Sequence, residues 1–189
     1  MRILVLSEPS YPQHPGGAGK CAHLLAAGLV ARGHTVHLVC PGAETHRESI
    51  DGVDVHRLKL PNLQTAAEEQ VNALVTIDYL ERTLAPASMD IVHDCGCFLS
   101  HHYRVAQHLK DRYGAATVAH FQFLPDIHER EVSEEVWDPL SEEALWFHTC
   151  GNDAPQCFVA RTADLLLCTS HEEAYHCQRL FRPGAGRIE

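Results

Sequence analysis

The stretch RILVLSEPSYPQHPGGAGKCAHLLAAGLVARGHTVHLVC, residues 2–40, passes from one hydrophobic period to another and back. Residues 2–7, RILVLS, form an apolar run bounded by Pro9 and Pro12, the pattern of a parallel strand covered on both faces. From Gly19 the period changes. Cys21, Leu24, Leu25, Gly28 and Leu29 recur at the spacing of one helical face, which predicts that this face is buried. Gly33 then takes the helix C-cap position, where a left-handed backbone favours glycine. Residues 35–40, TVHLVC, read as a second strand closed by Pro41 and Gly42.

The same alternation continues along the chain. Residues 53–60 read as a third strand near a sheet edge, and residues 66–84 as a helix with Val71, Leu74, Val75 and Leu80 in the core. Residues 90–93, DIVH, form a short strand, residues 98–112 a helix and residues 115–121, AATVAHF, a further strand. The acidic and aromatic stretch 129–150 predicts one or two helices broken at Pro139, and its acidic part, 129–143, reads as a solvated helix face, or else as a mobile lid or acceptor-recognition segment. Trp137 and Trp146 in it suit core packing or stacking on a sugar ring. Residues 164–170, DLLLCTS, are a strand, after which Ser170 and Glu173 form a capping box for a last helix. Strands alternating with helices throughout predict an α/β fold, a doubly wound parallel sheet in a three-layer α/β/α arrangement. No internal repeat or linker interrupts it, so residues 1–189 are expected to form one domain.

Composition excludes several classes. The 189 residues carry a net charge of −10 with histidine neutral, which argues against a nucleic-acid binder with a basic face. No apolar run approaches the ~18 residues of a membrane span, and the short apolar start before Glu8 does not make a secretory signal. A cytoplasmic protein is expected. Its eight cysteines are then expected to be reduced.

The loop HPGGAGK, residues 14–20, has the look of a phosphate cradle. It is not a Walker A loop: His14 stands at the first glycine position, and Cys21 replaces the hydroxyl residue that would hold magnesium. Gly17, Gly19 and Ala22 match the letters of a dinucleotide fingerprint, but residues 8–16 separate them from the strand, and Cys40-Pro41 end the second strand without an acidic residue for a ribose. What remains is a longer loop in which Gly16 and Gly17 open onto a helix N-terminus. Backbone N–H groups and the helix dipole can hold an anion there, or the loop is a plain connection without a ligand.

Residues 1–42 resemble the opening of family 4 (group 1) glycosyltransferases, which have the GT-B architecture of two Rossmann-like domains. LVARGHTV, residues 29–36, is similar to the phrase that ends the family's first helix. DIVHDCG (90–96), TVAHFQF (117–123) and ARTADLLLCTS (160–170) resemble three further landmarks in the family's order. The resemblance implies a Rossmann-like N-terminal, mainly acceptor-binding half of a retaining nucleotide-sugar-dependent enzyme. It implies a C-terminal donor-binding domain that is absent here, and hence little or no transferase activity in the 189-residue chain alone. No cofactor or catalytic metal is implied; the nucleotide sugar is a substrate, and a hydroxyl compound the acceptor. A stand-alone binding module, a partner subunit of a split enzyme, and an epimerase or phosphorylase of the same architecture remain alternatives.

The resemblance also assigns residues. Gly16 and Gly17 would approach the donor diphosphate, helped by Lys20, which otherwise is a solvated surface lysine. His120, ending its strand, would stand near the transferred sugar as the catalytic histidine. Asp94, Gln122 and Glu8, at or just past strand ends, are candidates for binding the acceptor, and Phe121 for shaping the same pocket. His93 reads as structural. His93, Cys95, Cys97, His101 and His102 cluster in sequence, but their spacing does not match the paired C-x2-C pattern of structural zinc sites, and no metal is expected.

Overall fold

The computed structural model describes residues 1–14, 16–61, 66–95, 100–121, 160–181 and 187–188. The elements in chain order are β1 (Arg2–Ser7), α1 (Gly17–Ala31), β2 (Thr35–Gly42), β3 (His46–Ile50), β4 (Val53–Lys59), α2 (Ala66–Thr83), β5 (Ile91–Cys95), α3 (Ser100–Tyr113), β6 (Ala116–Phe121), β7 (Leu165–Cys168), α4 (His171–Phe181) and β8 (Arg187–Ile188). The strands form one sheet in the order β3-β4-β2-β1-β5-β6-β7-β8. Every pair is parallel except β3 with β4. The expected α/β sheet is therefore present. The helices expected within 129–150, with Trp137 and Trp146, lie outside the described residues.

Strand β1 runs up the middle because both of its faces are apolar. Ile3 and Val5 pack with Val36, Leu38, Val53 and Val55 beneath α1, which contributes Ala22 and Ala26. Leu4 and Leu6 pack on the other face with Val39, Leu58 and Val92 beneath α2 and α3, which contribute Ala73, Leu80, Val105 and Leu109. From β1 the chain first builds outward through β2 to one side, then crosses to β5 on the other. Such a reversal opens a crevice at the carboxyl ends of the two diverging strands, the usual ligand position in open α/β sheets.

Two aspartates from the sequence landmarks pin the opposite end. Asp90 accepts from the Arg2 backbone N–H at 2.7 Å, and Asp164 accepts from the Thr117 N–H at 2.8 Å and Lys110 Nζ at 2.7 Å. Both sit where strands begin, so they fix strand register away from the crevice.

Several sequence expectations need correction. Helix α1 starts at Gly17, and its buried face is Gly19, Ala22, His23 and Ala26. Cys21 is exposed and Leu24 is 61% exposed, while Leu25 and Leu29 are half-buried against the core. The small-residue stripe faces inward because the β1–α1 loop crosses the start of the helix. A Cβ on Gly19 would overlap the Pro9 carbonyl oxygen and lie 3.1 Å from Ser10 Cα. Helix α2 is rotated in the same sense. Leu80 is buried as expected, but Val71, Leu74 and Val75 are exposed, and Asn72, Ala73 and Thr76 face the sheet. Asn72 is held inward by its Nδ2 bond to the Pro61 carbonyl at 3.4 Å.

Strand β2 continues through Pro41 and Gly42 rather than closing there. Pairing with β1 stops at Leu6–Val39, so beyond that point β2 has a neighbour on one side only, where proline is tolerated. The third strand of the sequence reading is β4, and a strand not expected, β3, forms the sheet margin beside it. The connection is a two-residue turn with Asp51 at φ 53° and Gly52 at φ 78°, the twisted hairpin that an Asp-Gly pair favours. Asp51 Oδ2 lies 3.0 Å from Nε2 of His23, tying the hairpin to α1. At the other end of the sheet the capping box forms: the Glu173 N–H donates to Ser170 Oγ at 3.1 Å. The Glu173 carboxylate returns to the Thr169 N–H at 2.8 Å, one residue before the cap.

The interior is rich in neutral histidine, which sets a pH dependence. Burial pushes His56 and His93 down to about 4 and His101 to about 2, from 6.5. Above pH 6.5 these rings are neutral folded or unfolded and give stability no slope. Between there and about 4, the unfolded chain binds protons that the folded rings refuse. Each ring then lowers stability by about 1.4 kcal/mol per pH unit. His56 and His93 level off near 4, while His101 continues to destabilise below it. The urea midpoint is expected to fall clearly between pH about 7.5 and about 5; an unchanged midpoint would show that the rings titrate freely.

Candidate functional site

The carboxyl edge of the sheet collects most of the candidate residues. On one side of the crevice, Glu8 follows β1 and the loop leads to Gly16, the N-cap of α1. Gly16 receives the Lys20 N–H on its carbonyl at 3.1 Å, and no side chain caps the helix start. Gly16, Gly17 and Lys20 are exposed, and Glu8 is half-buried. Among the described residues nothing lies within 4 Å of a Cβ built on Gly16 or Gly17, and neither has a left-handed backbone. Internal packing therefore does not require glycine at these two positions, in contrast to Gly19. Gly16 and Gly17 are exposed at a helix start that no side chain caps, the kind of terminus whose N–H groups can hold an anion.

On the other side, the alternation of β5 and the parallel register decide which groups meet. His93 and Cys95 share one face, two residues apart, and Cys95 lies beside His120 of β6. Cys95 Sγ is 3.8 Å from Nδ1 of His120, and the His93 and His120 rings are 5.8 Å apart. Cys95 belongs to the cluster covered by α1, so this group and the glycine N-terminus share the same face and the same end of the sheet. Burial lowers the His120 pKa, partly opposed by the carboxylate of Glu173 on α4. His93 is lowered by burial and by the neighbouring His120 charge. At neutral pH both rings are neutral, and His120, half-buried at its strand end, offers one N–H donor and one lone pair.

Asp94 is on the opposite face. It is 2% exposed, and its Oδ1 lies 3.2 Å from Nδ1 of His102 on α3. It borders a hollow of about 20 Å³ with Tyr103, Gln107 and Thr117, room for a water molecule and not for a sugar. Gln122 lies outside the described residues, as does Cys97. Of the five clustered metal-type residues in the sequence, His93 and Cys95 converge, and His120 joins them with ligand atoms within 4.8 Å. His101 and His102 meet edge to face on α3 instead, with ring centroids 4.4 Å apart. The sequence reading missed the grouping of His93, Cys95 and Glu173 around His120. Strand alternation carried the signal for the first two, since His93 and Cys95 must share a face.

Residues 16–189 match the sequence profile described as the glycosyl transferase 4-like domain. The chain belongs to this family. The glycosyltransferase domain fits the N-terminal half of the GT-B architecture, as its sequence landmarks implied. No curated protein sequence matches it. Among solved structures it is similar to sucrose-phosphate synthase from Thermosynechococcus elongatus (TM-score 0.72, 15% identity), covering 99% of this chain and 47% of that one. It is also similar to Anabaena Alr3699/HepE in complex with UDP and glucose (TM-score 0.57, 12% identity), covering 99% and 43%. A third is a ugt transferase from Siraitia grosvenorii in complex with UDP (TM-score 0.51, 12% identity), covering 99% and 46%. At these identities the likeness is one of fold. The glycosyltransferase domain spans less than half the length of each of these three structures. No described helix is long and apolar enough to cross a membrane.

Proposed function

We infer that this domain is the mainly acceptor-binding half of a retaining, nucleotide-sugar-dependent glycosyltransferase of the hexosyl-transferring type. One observation carries the reading: neutral His120 and the open glycine N-terminus of α1 stand on the same face at the carboxyl edge of the sheet, flanking the switch between β1 and β5. A leaving nucleoside diphosphate gains negative charge as the sugar bond breaks. The N–H groups at Gly16 and Gly17, with Lys20 nearby, supply preorganised positive charge for it. His120 donates a hydrogen bond to the sugar or phosphate from a ring that stays neutral, so it needs no proton exchange with solvent. Glu8 and Gln122 are proposed to address acceptor hydroxyls; Asp94, buried against His102 on the other face of the sheet, is not placed to reach them.

The donor is proposed to be held chiefly by a second Rossmann-like domain, consistent with the share of the similar structures that this chain covers. No cofactor or metal enters this scheme. The proposed setting is the cytoplasm, without nucleic acid as partner. The 189-residue chain alone is expected to show little or no sugar transfer, and robust transfer by it would overturn the two-domain reading. Joined to its donor domain, His120→Ala is expected to lower turnover about ten- to a hundredfold, the size of a lost hydrogen bond to a charged group. The urea midpoint of the same variant should barely move, because His120 is half-buried and its contact with Cys95, at 3.8 Å from the thiol, is a weak one. A variant that unfolds while its folded fraction turns over normally would make His120 a packing residue.

A further inference from the structure

A second set of ligand-type side chains converges on the face of the sheet beneath α2, the opposite face from Cys95 and His120. His37 lies on β2, and Asp54 and His56 two residues apart on β4, with His37 directly beside Asp54 in the register. Nδ1 of His37 is 3.0 Å from Oδ2 of Asp54 and 3.3 Å from Nε2 of His56. That Nε2 is 3.5 Å from the same Oδ2. Ligands held about 2.0–2.1 Å from zinc at tetrahedral angles lie about 3.3–3.4 Å from one another. The three atoms thus mark out one face of a zinc coordination tetrahedron.

We propose that His37, Asp54 and His56 bind a zinc-class divalent cation, with water at the fourth position. Two imidazoles and one carboxylate suit zinc, cobalt or nickel, not magnesium or calcium, which prefer all-oxygen sets. The outer partners fit the same role. Nδ1 of His56 is 2.9 Å from the Tyr79 hydroxyl, and a ring that donates there turns the Nε2 lone pair toward the other two ligands. His37 and His56 are 6% and 0% exposed, and burial keeps both neutral, His56 down to about 4. Their lone pairs are therefore available at neutral pH without first losing a proton. The Asp54 side chain is 19% exposed and gives the fourth vertex a path to solvent. Arg47, 61% exposed, grips the same carboxylate, with Nε 2.5 Å from Oδ1 and Nη2 on Oδ2, the proposed ligand atom. It can swing outward, so one cation replaces another on Asp54. The group made by His93, Cys95 and His120 belongs to the transferase site, and the present inference does not rest on the reading of that site.

The test uses the untagged chain, stripped of metal and titrated with cobalt(II) against a chelating competitor. A single tightly held equivalent should appear with the intense visible bands of four-coordinate cobalt. No thiolate-to-cobalt band should appear in the near ultraviolet, because no ligand is a cysteine. Tyr79→Phe, which keeps all three ligands, should weaken binding about tenfold, and Asp54→Asn should weaken it further. Circular dichroism establishes that each variant is folded, and the tyrosine variant serves if the asparagine one is not. Undiminished binding by a folded variant, a six-coordinate spectrum alone, or a thiolate band would each overturn the proposal.

Discussion

Gly19→Ala is expected to destabilise the domain by about 2–3 kcal/mol, while Gly28→Ala in the same helix stabilises it by about 1 kcal/mol. Helix propensity alone gives both substitutions the same favourable sign, since glycine costs a helix interior close to 1 kcal/mol relative to alanine. At Gly28 nothing lies within 4 Å of a new Cβ, so propensity acts unopposed. At Gly19 the new methyl would run into the Pro9 carbonyl oxygen and come within 3.1 Å of Pro9 C and Ser10 Cα. These are backbone atoms and cannot rotate away, so the β1–α1 loop or the helix must move as a unit. Tyr11 resists that movement, since its ring packs 5.9 Å from His23 on the same buried face. Urea midpoints of the two variants at constant slope check the claim; a shift of the same sign in both would show that the loop yields freely.

Glu48→Ala is expected to cost about 3–5 kcal/mol, more than its half-exposed place on a marginal strand suggests. The reason is Arg57, which is 0% exposed. Its Nε donates to Glu48 Oε1 at 2.5 Å, and its NH1 lies 3.3 Å from the Ser10 carbonyl and 3.6 Å from Cys40 Sγ. Gly42 leaves room for the arginine stem, since a Cβ there would lie 2.8 Å from Arg57 Cβ. Glu48 is the carboxylate on which the buried guanidinium rests, and truncating it leaves a charge in a low-dielectric setting. Removing both partners is a different matter. The double variant Glu48→Ala with Arg57→Met should recover at least about 2 kcal/mol of the loss, because no uncompensated charge remains. Chemical denaturation of the three proteins gives the coupling directly; additive losses would mean that Glu48 acts through its own packing alone.

The central strands were legible because parallel strands covered on both faces leave an apolar run that little else produces, as in residues 2–7. Gly33 and the Ser170–Glu173 pair were legible because each has a specific local job: Gly33 takes φ 85°, and Ser170 receives the Glu173 N–H. The buried faces of α1 and α2 were misread for one shared reason. Size was taken as the mark of the core, whereas close approach of helix to loop and sheet selects Gly19, Ala22, Ala26, Ala73 and Thr76. Strand β3 was missed because HRESI is polar, and its only clear signal was the Asp51-Gly52 turn that follows it. At the site, strand ends could be located from the sequence, but the direction of a side chain could not. Hence Asp94 and His120, similar by position, face opposite sides of the sheet.

The five-residue β3, His46–Ile50, closes one margin of the sheet with mostly exposed, hydrogen-bonding side chains, including His46 and Arg47. A free strand margin is where a second chain can add its own strand and begin an aggregate. Here the incoming strand would meet a short ladder already committed to ion pairs, Arg47 with Asp54 and Glu48 with Arg57. Copies crowded together therefore cannot join β3 to β3 without stripping water from charged groups, and back-to-back polymerisation has no cheap first step at that margin. The pair of charges that makes Glu48 costly to lose also makes that margin a poor template for another strand.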